Sequence, residues 1–382
     1  MLELQPQQEE KEQKITCKLP DRKIRYTIFV GNSVLSELNT YIKNNDFSNI
    51  FIIADERAYE LHGEELFNLC KSTGENVFVM AIPGIDRSEK SLNLFTNIFD
   101  WLVIHNADRF SLLVGFGGGV IEDVTGFVAA TFMRGIKHIL IPTTLVGQVD
   151  SSIGGKVGIN YSNHINMIGT YYNPVMVCIN TKYIAGLPHT EFQSGLGEIV
   201  KTLLISNKKA SCQLADESSS SVKNRISELI FMCCKIKTKI VMTDPEEQNH
   251  KRWVLNYGHT IGQAIETISN FRYSHGEAVA LGMVAASYVG EAMGVCGSEI
   301  TRFQKSVLEN LELPTTLSGD YFNNMSPADI RTEIVDGISR DKKSRKQKPN
   351  FIILKEIGKP ILVLGVEREI LKLAIDKLSD NL

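Results

Sequence analysis

Ser111-Leu-Leu-Val-Gly-Phe-Gly117-Gly118-Gly119-Val-Ile-Glu-Asp123 is the stretch that decides the fold. A short apolar run, 111–115, reads as a buried strand. It passes through three consecutive glycines straight into a helix-like segment. Such a joint belongs to an α/β unit. The glycines let a phosphate approach the backbone and leave amide donors open at the helix start. The spacing is not G-x-G-x-x-G, and a tight turn without a ligand is an equal reading of these residues alone.

Outward from this joint the first half alternates. Strand-like runs fall at 24–30, at 50–54 ending in Asp55, at 76–82 and at 138–141. Residues 91–105 carry apolar side chains at helical spacing, among them Leu92, Phe95, Ile98 and Leu102. Pro142-Thr143-Thr144-Leu145 follows a strand, where threonine hydroxyls bond a ribose or phosphate, or equally cap a helix. After about Tyr183 helical spacing dominates, at 191–205, 222–241, 260–268, 277–293 and 300–311. Runs at 351–354 and 360–364 form a small hairpin around Gly358. The expected organisation is a polar extension (1–14), an α/β domain with a mainly parallel sheet (15–182), and a helical domain (183–382).

The bulk numbers exclude several classes. A chain of 382 residues with 43% hydrophobic and 22% charged content is an ordinary globular protein, long enough for two domains. A formal charge of −3 argues against a nucleic-acid binder. No apolar run reaches the roughly 18 residues of a membrane span. The seven cysteines (Cys17, Cys70, Cys178, Cys212, Cys233, Cys234, Cys296) are scattered and include no CxxC pair, as expected of reduced thiols in the cytoplasm. The opening MLELQPQQEEKEQK lacks the basic start and apolar core of a secretory signal.

The densest chemistry lies between Glu198 and His275. Gly195-Leu-Gly-Glu198-Ile-Val-Lys201 is helix-like, and Asn256-Tyr-Gly258-His259-Thr and Ser274-His275-Gly-Glu277 follow it. One carboxylate and two imidazoles make the ligand set of an open catalytic zinc site. Taken singly, Glu198 with Lys201 is a surface ion pair and each histidine an ordinary one. The small and polar neighbours of both histidines favour turns that aim the rings inward. A metal site of this kind beside a phosphate-binding turn points to redox or elimination chemistry on a polar substrate.

The chain resembles the 3-dehydroquinate synthase family of sugar phosphate cyclases. The resemblance rests on Gly117-Gly-Gly-Val-Ile-Glu-Asp123, Met133-Arg134-Gly135, Pro142-Thr-Thr-Leu145, Val149-Asp150-Ser-Ser-Ile-Gly-Gly-Lys156, Asn166-Met-Ile-Gly169, Leu187-Pro188 and the three segments just quoted, with Asp341-Lys342-Lys343. It implies a Rossmann-like NAD-binding α/β domain followed by an all-helical metal-binding domain. It implies zinc (or cobalt) on Glu198, His259 and His275, and NAD held by Asp55, Lys90, Gly117, Gly118, Gly119, Val120, Asp123, Thr143 and Thr144. Arg134, Asp150, Lys156, Asn166, Lys201, Lys237, Arg252, Asn256 and Lys343 would bind a sugar phosphate. Lys201, Glu247, Asp150 and Lys156 would be catalytic. Arg134 resembles the arginine that the family lends to a neighbouring subunit, which implies a homodimer. The activity implied is conversion of 3-deoxy-D-arabino-heptulosonate 7-phosphate to 3-dehydroquinate. Other readings are a cyclase acting on a different sugar phosphate (of the amino-dehydroquinate, deoxy-inosose or valiolone type), a metal-dependent alcohol dehydrogenase, or a pseudoenzyme that binds NAD.

Four positions depart from the family pattern. Gln263 replaces a histidine credited with proton transfer, and an amide cannot shuttle a proton near neutral pH. Ile165 stands where a lysine precedes Asn166. Glu122 replaces a glycine beside the phosphate-binding turn. Arg87 occupies the glutamate slot of a ribose-binding stretch ending in Lys90. Asp244-Pro-Glu-Glu247 fits the family's Asp-x-x-Glu stretch with one extra residue before Arg252, and so assigns Glu247 as a proton acceptor.

Overall fold

The structure is a computed structural model that describes residues 25–84, 90–162, 164–323, 325–339, 348–380 and 382. The extension 1–14, Arg87 and Lys343 lie outside the described residues.

The first half runs β1 (Thr27–Gly31), α1 (Leu35–Lys43), β2 (Asn49–Asp55), α2 (Glu56–Lys71), β3 (Asn76–Ile82), α3 (Leu92–Ile104), β4 (Leu112–Gly117), α4 (Gly119–Thr131) and β5 (Lys137–Pro142). A hairpin of β6 (Lys156–Tyr161) and β7 (His164–Tyr171) and a last strand, β8 (Met176–Asn180), complete it. Six strands form one parallel sheet in the order β1-β8-β5-β4-β2-β3. Successive residues of a strand face opposite sides of the sheet. Ile50, Ile52 and Ala54 of β2 pack with α1 and α2, while Phe51 and Ile53 pack with α3 and α4.

The strand order sets the position of the site. From β2 the chain steps outward to β3, then returns to the other side of β2 as β4. The crevice at such a reversal, beyond the carboxyl ends of the strands, is where open α/β sheets take ligands. Asp55 ends β2 and Gly117 ends β4, so both lie at its mouth.

The second half contains α5 (His189–Ser206), α6 (Lys208–Leu214), α7 (Ser219–Asn224), α8 (Ile226–Thr243), α9 (His259–Ile268), α10 (His275–Ala292), α11 (Ser298–Asn310), α12 (Pro327–Ser339), the antiparallel hairpin β9 (Phe351–Glu356) and β10 (Lys359–Val363), and α13 (Arg368–Leu378). The continuous helix expected at 222–241 is two helices. Arg225 leaves helical geometry (φ −119°, ψ 18°), and its guanidinium bridges Glu217 and Glu228. The hairpin β6–β7 had no distinct signal in the sequence. Most of β7 is exposed, so its pattern lacks the alternation that marks a half-buried strand.

Helix α10 is the axis of this half. It is buried almost all round, as its continuous apolar and small residues require. Glycines let its neighbours come to backbone contact. A Cβ on Gly276 would lie 1.9 Å from Ser194 O of α5, and one on Gly282 would lie 1.9 Å from Gly258 O before α9. The first sets the start of α10 against α5, and the second sets the start of α9 against the middle of α10. Gly276→Ala is therefore expected to destabilise the fold by about 1–3 kcal/mol, measured by denaturant unfolding. Unchanged stability would mean that the helices separate freely.

Candidate active site

Each proposed metal ligand owes its position to a backbone device. Glu198 sits mid-helix on the face of α5 that meets α10, fully buried. His259 is the first residue of α9, behind Gly258, whose left-handed conformation (φ 78°) turns the chain sharply out of a 3-10 segment, Lys251–Asn256. His275 is the first residue of α10, where Glu277 accepts a bond from the Ser274 amide at 2.8 Å and fixes the helix start.

The three side chains converge. Ligand atoms of Glu198, His259 and His275 lie within 4.8 Å of one another. The His275 and His259 Nε2 atoms stand 3.0 and 3.4 Å from Glu198 Oε1. Neither Glu198 oxygen has a well-directed hydrogen bond, though both are buried. Burial pushes the Glu198 carboxyl up, but Lys201 and the two imidazoles outweigh it and hold it well below the usual carboxylate range. Burial, with Lys201 beside it, pushes His259 down to about 3, so its imidazole is neutral. A buried carboxylate whose Oε2 pairs with Lys201 and whose Oε1 faces two imidazoles is a donor set that fits a divalent cation.

A network of buried charges extends from this cluster. Lys201 is 1% exposed and pairs with both Glu198 and, at 3.6 Å, Asp150. The surface ion pair that the sequence alone allowed is thus an interior one. Asp150 lies on a single π-helical turn, Gly147–Ser151, and also takes Lys237 at 2.7 Å. Burial works against the Asp150 charge, yet the two lysines hold this carboxyl down at about 2. Arg252 is buried and anchored by the carbonyls of Gly154 and Pro245 at 2.9 and 2.8 Å. Lys156 pairs with Glu247, which the Tyr171 hydroxyl approaches at 3.5 Å.

The glycine turn closes the other end of the same cavity, about 920 Å³ in volume. Gly118 caps α4, and a Cβ there would lie 2.8 Å from Thr144 Cγ2. The cradle accordingly has room only for bare backbone, which fits a dinucleotide phosphate. Asp55, Lys90, Gly118, Gly119, Val120, Asp123, Thr143, Thr144, Asp150, Lys156, Asn166, Lys201, Lys237, Arg252, Asn256, His259 and His275 all line this cavity. Gly117 is buried beneath it, with Asp55 beside it. Lys90 bonds Asp123 at 2.6 Å and also Asn166. Asp55 caps α2 through the Ala58 amide, and Thr144 accepts from the Gly147 amide at 3.1 Å, so both also serve as caps. Arg134 stands apart, exposed on a tight turn with φ of 65°. Of the departures, Gln263 and Ile165 line the cavity, while Glu122 is buried behind the turn.

One residue of the site carried no role in the sequence reading. Glu266 of α9 is buried and accepts from His275 Nδ1 at 3.3 Å, which orients the ring. It follows His259 by seven residues, two helical turns along the same face, and that spacing was a readable signal. Glu266→Gln is expected to weaken divalent-metal affinity by roughly 10–100-fold in chelator competition. Unchanged affinity would show that the ring is oriented by something else.

Comparison with known proteins adds the lineage. Residues 80–194 match the pattern described as 3-dehydroquinate synthase N-terminal, and residues 195–344 match 3-dehydroquinate synthase C-terminal. The 3-dehydroquinate synthase of Dictyoglomus thermophilum is 37% identical over 365 residues, covering 94% of this chain and 96% of the relative. That of Crocosphaera subtropica is 34% identical over 361 residues, covering 93% and 96%. A crystal structure of 2-deoxy-scyllo-inosose synthase complexed with carbaglucose-6-phosphate, NAD+ and Co2+ shares the fold, with a TM-score of 0.82 at 24% identity, covering 94% of this chain and 97% of that one. The chain is an enzyme and belongs to the 3-dehydroquinate synthase family.

Proposed function

We propose that this protein is a 3-dehydroquinate synthase, converting 3-deoxy-D-arabino-heptulosonate 7-phosphate to 3-dehydroquinate and phosphate with NAD and a divalent cation, zinc or cobalt. The observation that carries this reading is the convergence of Glu198, His259 and His275 at one end of a cavity whose other end is the glycine turn. It is supported by relatives of that name at 34–37% identity over nearly the whole chain. Residues 15–182 would form the dinucleotide-binding domain and residues 183–382 the metal- and substrate-binding domain, with the extension 1–14 outside both.

The reaction proceeds by oxidation of a ring hydroxyl, loss of phosphate, reversal of the oxidation, ring opening and aldol closure. Bound at the residues described, the cation supplies Lewis acidity and the dinucleotide a reversible hydride acceptor. The chain's own side chains bind and orient the substrate. Arg252, with its Nη1 fixed by two carbonyls, presents a preorganised guanidinium to the substrate carboxylate. Lys156 and the Lys343 segment supply cations for the phosphate. Asp150 remains ionised between Lys201 and Lys237, and this trio, with Asn166 and Asn256, positions the substrate hydroxyls. Glu247 accepts a proton on a carboxyl already hydrogen-bonded to its neighbours.

We place the enzyme in the cytoplasm as a homodimer. Support for the dimer is the exposed Arg134 on its strained turn, suited to reach a second copy. Among the described residues no helix is long and apolar enough to cross a membrane.

Incubation with the heptulosonate phosphate, NAD and zinc is expected to release phosphate in step with a carbocyclic product, without lasting NADH absorbance. Stoichiometric NADH would instead indicate a dehydrogenase. His275→Ala should lose both the metal and turnover, and full activity of the metal-stripped variant would discredit the ligand assignment. Gln263→His should shift the pH–rate profile if proton transfer at that position limits the rate; an identical profile would make the position dispensable.

A further inference from the structure

Glu122 is the one carboxyl at the cofactor turn that the proposed chemistry does not use. It lies in the first turn of α4, 2% exposed. Its Oε2 accepts from the Ser151 hydroxyl, and its Oε1 is buried without a partner. No ion pair forms to it among the described residues. The backbone leaves it no slack, since a Cβ on Gly147 would lie 2.6 Å from Oε1 and one on Gly119 would lie 2.9 Å from Ser151 Oγ. Ser151 lines the cavity and ends the turn that carries Asp150. Glu122 therefore holds the phosphate-binding turn on one side and the Asp150 turn on the other, through a single hydroxyl.

We infer that Glu122 is a positioning residue that carries a proton in the folded protein, and that the dinucleotide binds this protonated form, so that cofactor binding and proton uptake are coupled. The inference rests on the reading of the glycine turn as the dinucleotide site. A buried carboxyl with one hydroxyl partner and one empty oxygen is stable only when neutral. The charged groups that face it are Asp123 of α4, Asp150 of the π turn and Lys237 of α8. Burial pushes the carboxyl up to about 8; the two aspartates add to the rise, and Ser151 and Lys237 oppose it. Ionisation would put a negative charge directly behind the amides that receive an anionic pyrophosphate. By linkage, the bound dinucleotide holds the proton more tightly in return.

A carboxyl raised in the folded state favours folding fully below its unfolded value of about 4.5, and this contribution is lost as pH rises through about 8. Wild type should therefore lose stability relative to Glu122→Gln across that window, seen as a widening Tm gap.

The test is calorimetric titration of NAD into the full-length protein, in buffers of different protonation enthalpy, for wild type, Glu122→Gln and Glu122→Gly. Wild type is expected to bind roughly tenfold more weakly at about pH 9 than at about pH 7 and to take up a proton on binding at the higher pH. Both variants should bind with a flatter pH dependence and with less proton uptake. Equal pH dependence and uptake in all three proteins would overturn the inference while leaving the cofactor site intact. Failure of wild type to bind NAD at any pH would overturn the cofactor reading, and this inference with it.

Discussion

A carboxylate with no exposed surface, Glu198, sits where α5 meets α10, and the site is organised around keeping its charge. A lone buried carboxylate is costly enough that it would take up a proton. Here Lys201 lies one turn away on the same helix, and the His259 and His275 rings close the remaining directions. Lys201 is shared between Glu198 and Asp150, and Asp150 in turn is shared between Lys201 and Lys237. The chain of alternating signs makes each member conditional on the next. Removing one partner of such a buried pair leaves the other uncompensated, which is far more disruptive than the pair's net contribution to stability.

That network also dictates the packing. Three helices must bring Glu198, His259 and His275 within a cation's reach, and ordinary side chains at the crossings would hold the axes apart. Glycine at 276 and at 282 removes that separation, so backbone meets backbone on both sides of α10. On the other side of the cavity the same logic recurs. The turn after β4 accepts no Cβ because Thr144 and Ser151 already press against it. Close backbone approach therefore defines both ends of the cavity, and the polar side chains between them are fixed from two directions.

Much of this was legible in the chain. The apolar run before Gly117 and the alternation around it gave the parallel sheet, because strand and helix periods differ locally and need no tertiary information. Turns that aim the His259 and His275 rings inward were readable from their small and polar neighbours; the structure adds that each histidine opens a helix. The β6–β7 hairpin was not, since an exposed strand has no burial pattern to show. The break at Arg225 was hidden because apolar spacing continues across it, and only the bridge to Glu217 and Glu228 reveals the kink. Glu122 read as an awkward negative charge beside a phosphate turn; the structure buries it against Ser151 instead.

By itself the sequence determined the elements, their approximate limits, the donor types available for a cation and the family to which the chain belongs. These depend on residue type and spacing along one dimension. Only the tertiary structure decided that Glu198 and Lys201 form an interior pair rather than a surface one, that Glu266 holds the His275 ring, and that Glu122 joins two turns. Each of those depends on which groups exclude water from one another, and desolvation is set by neighbours brought together from distant parts of the chain.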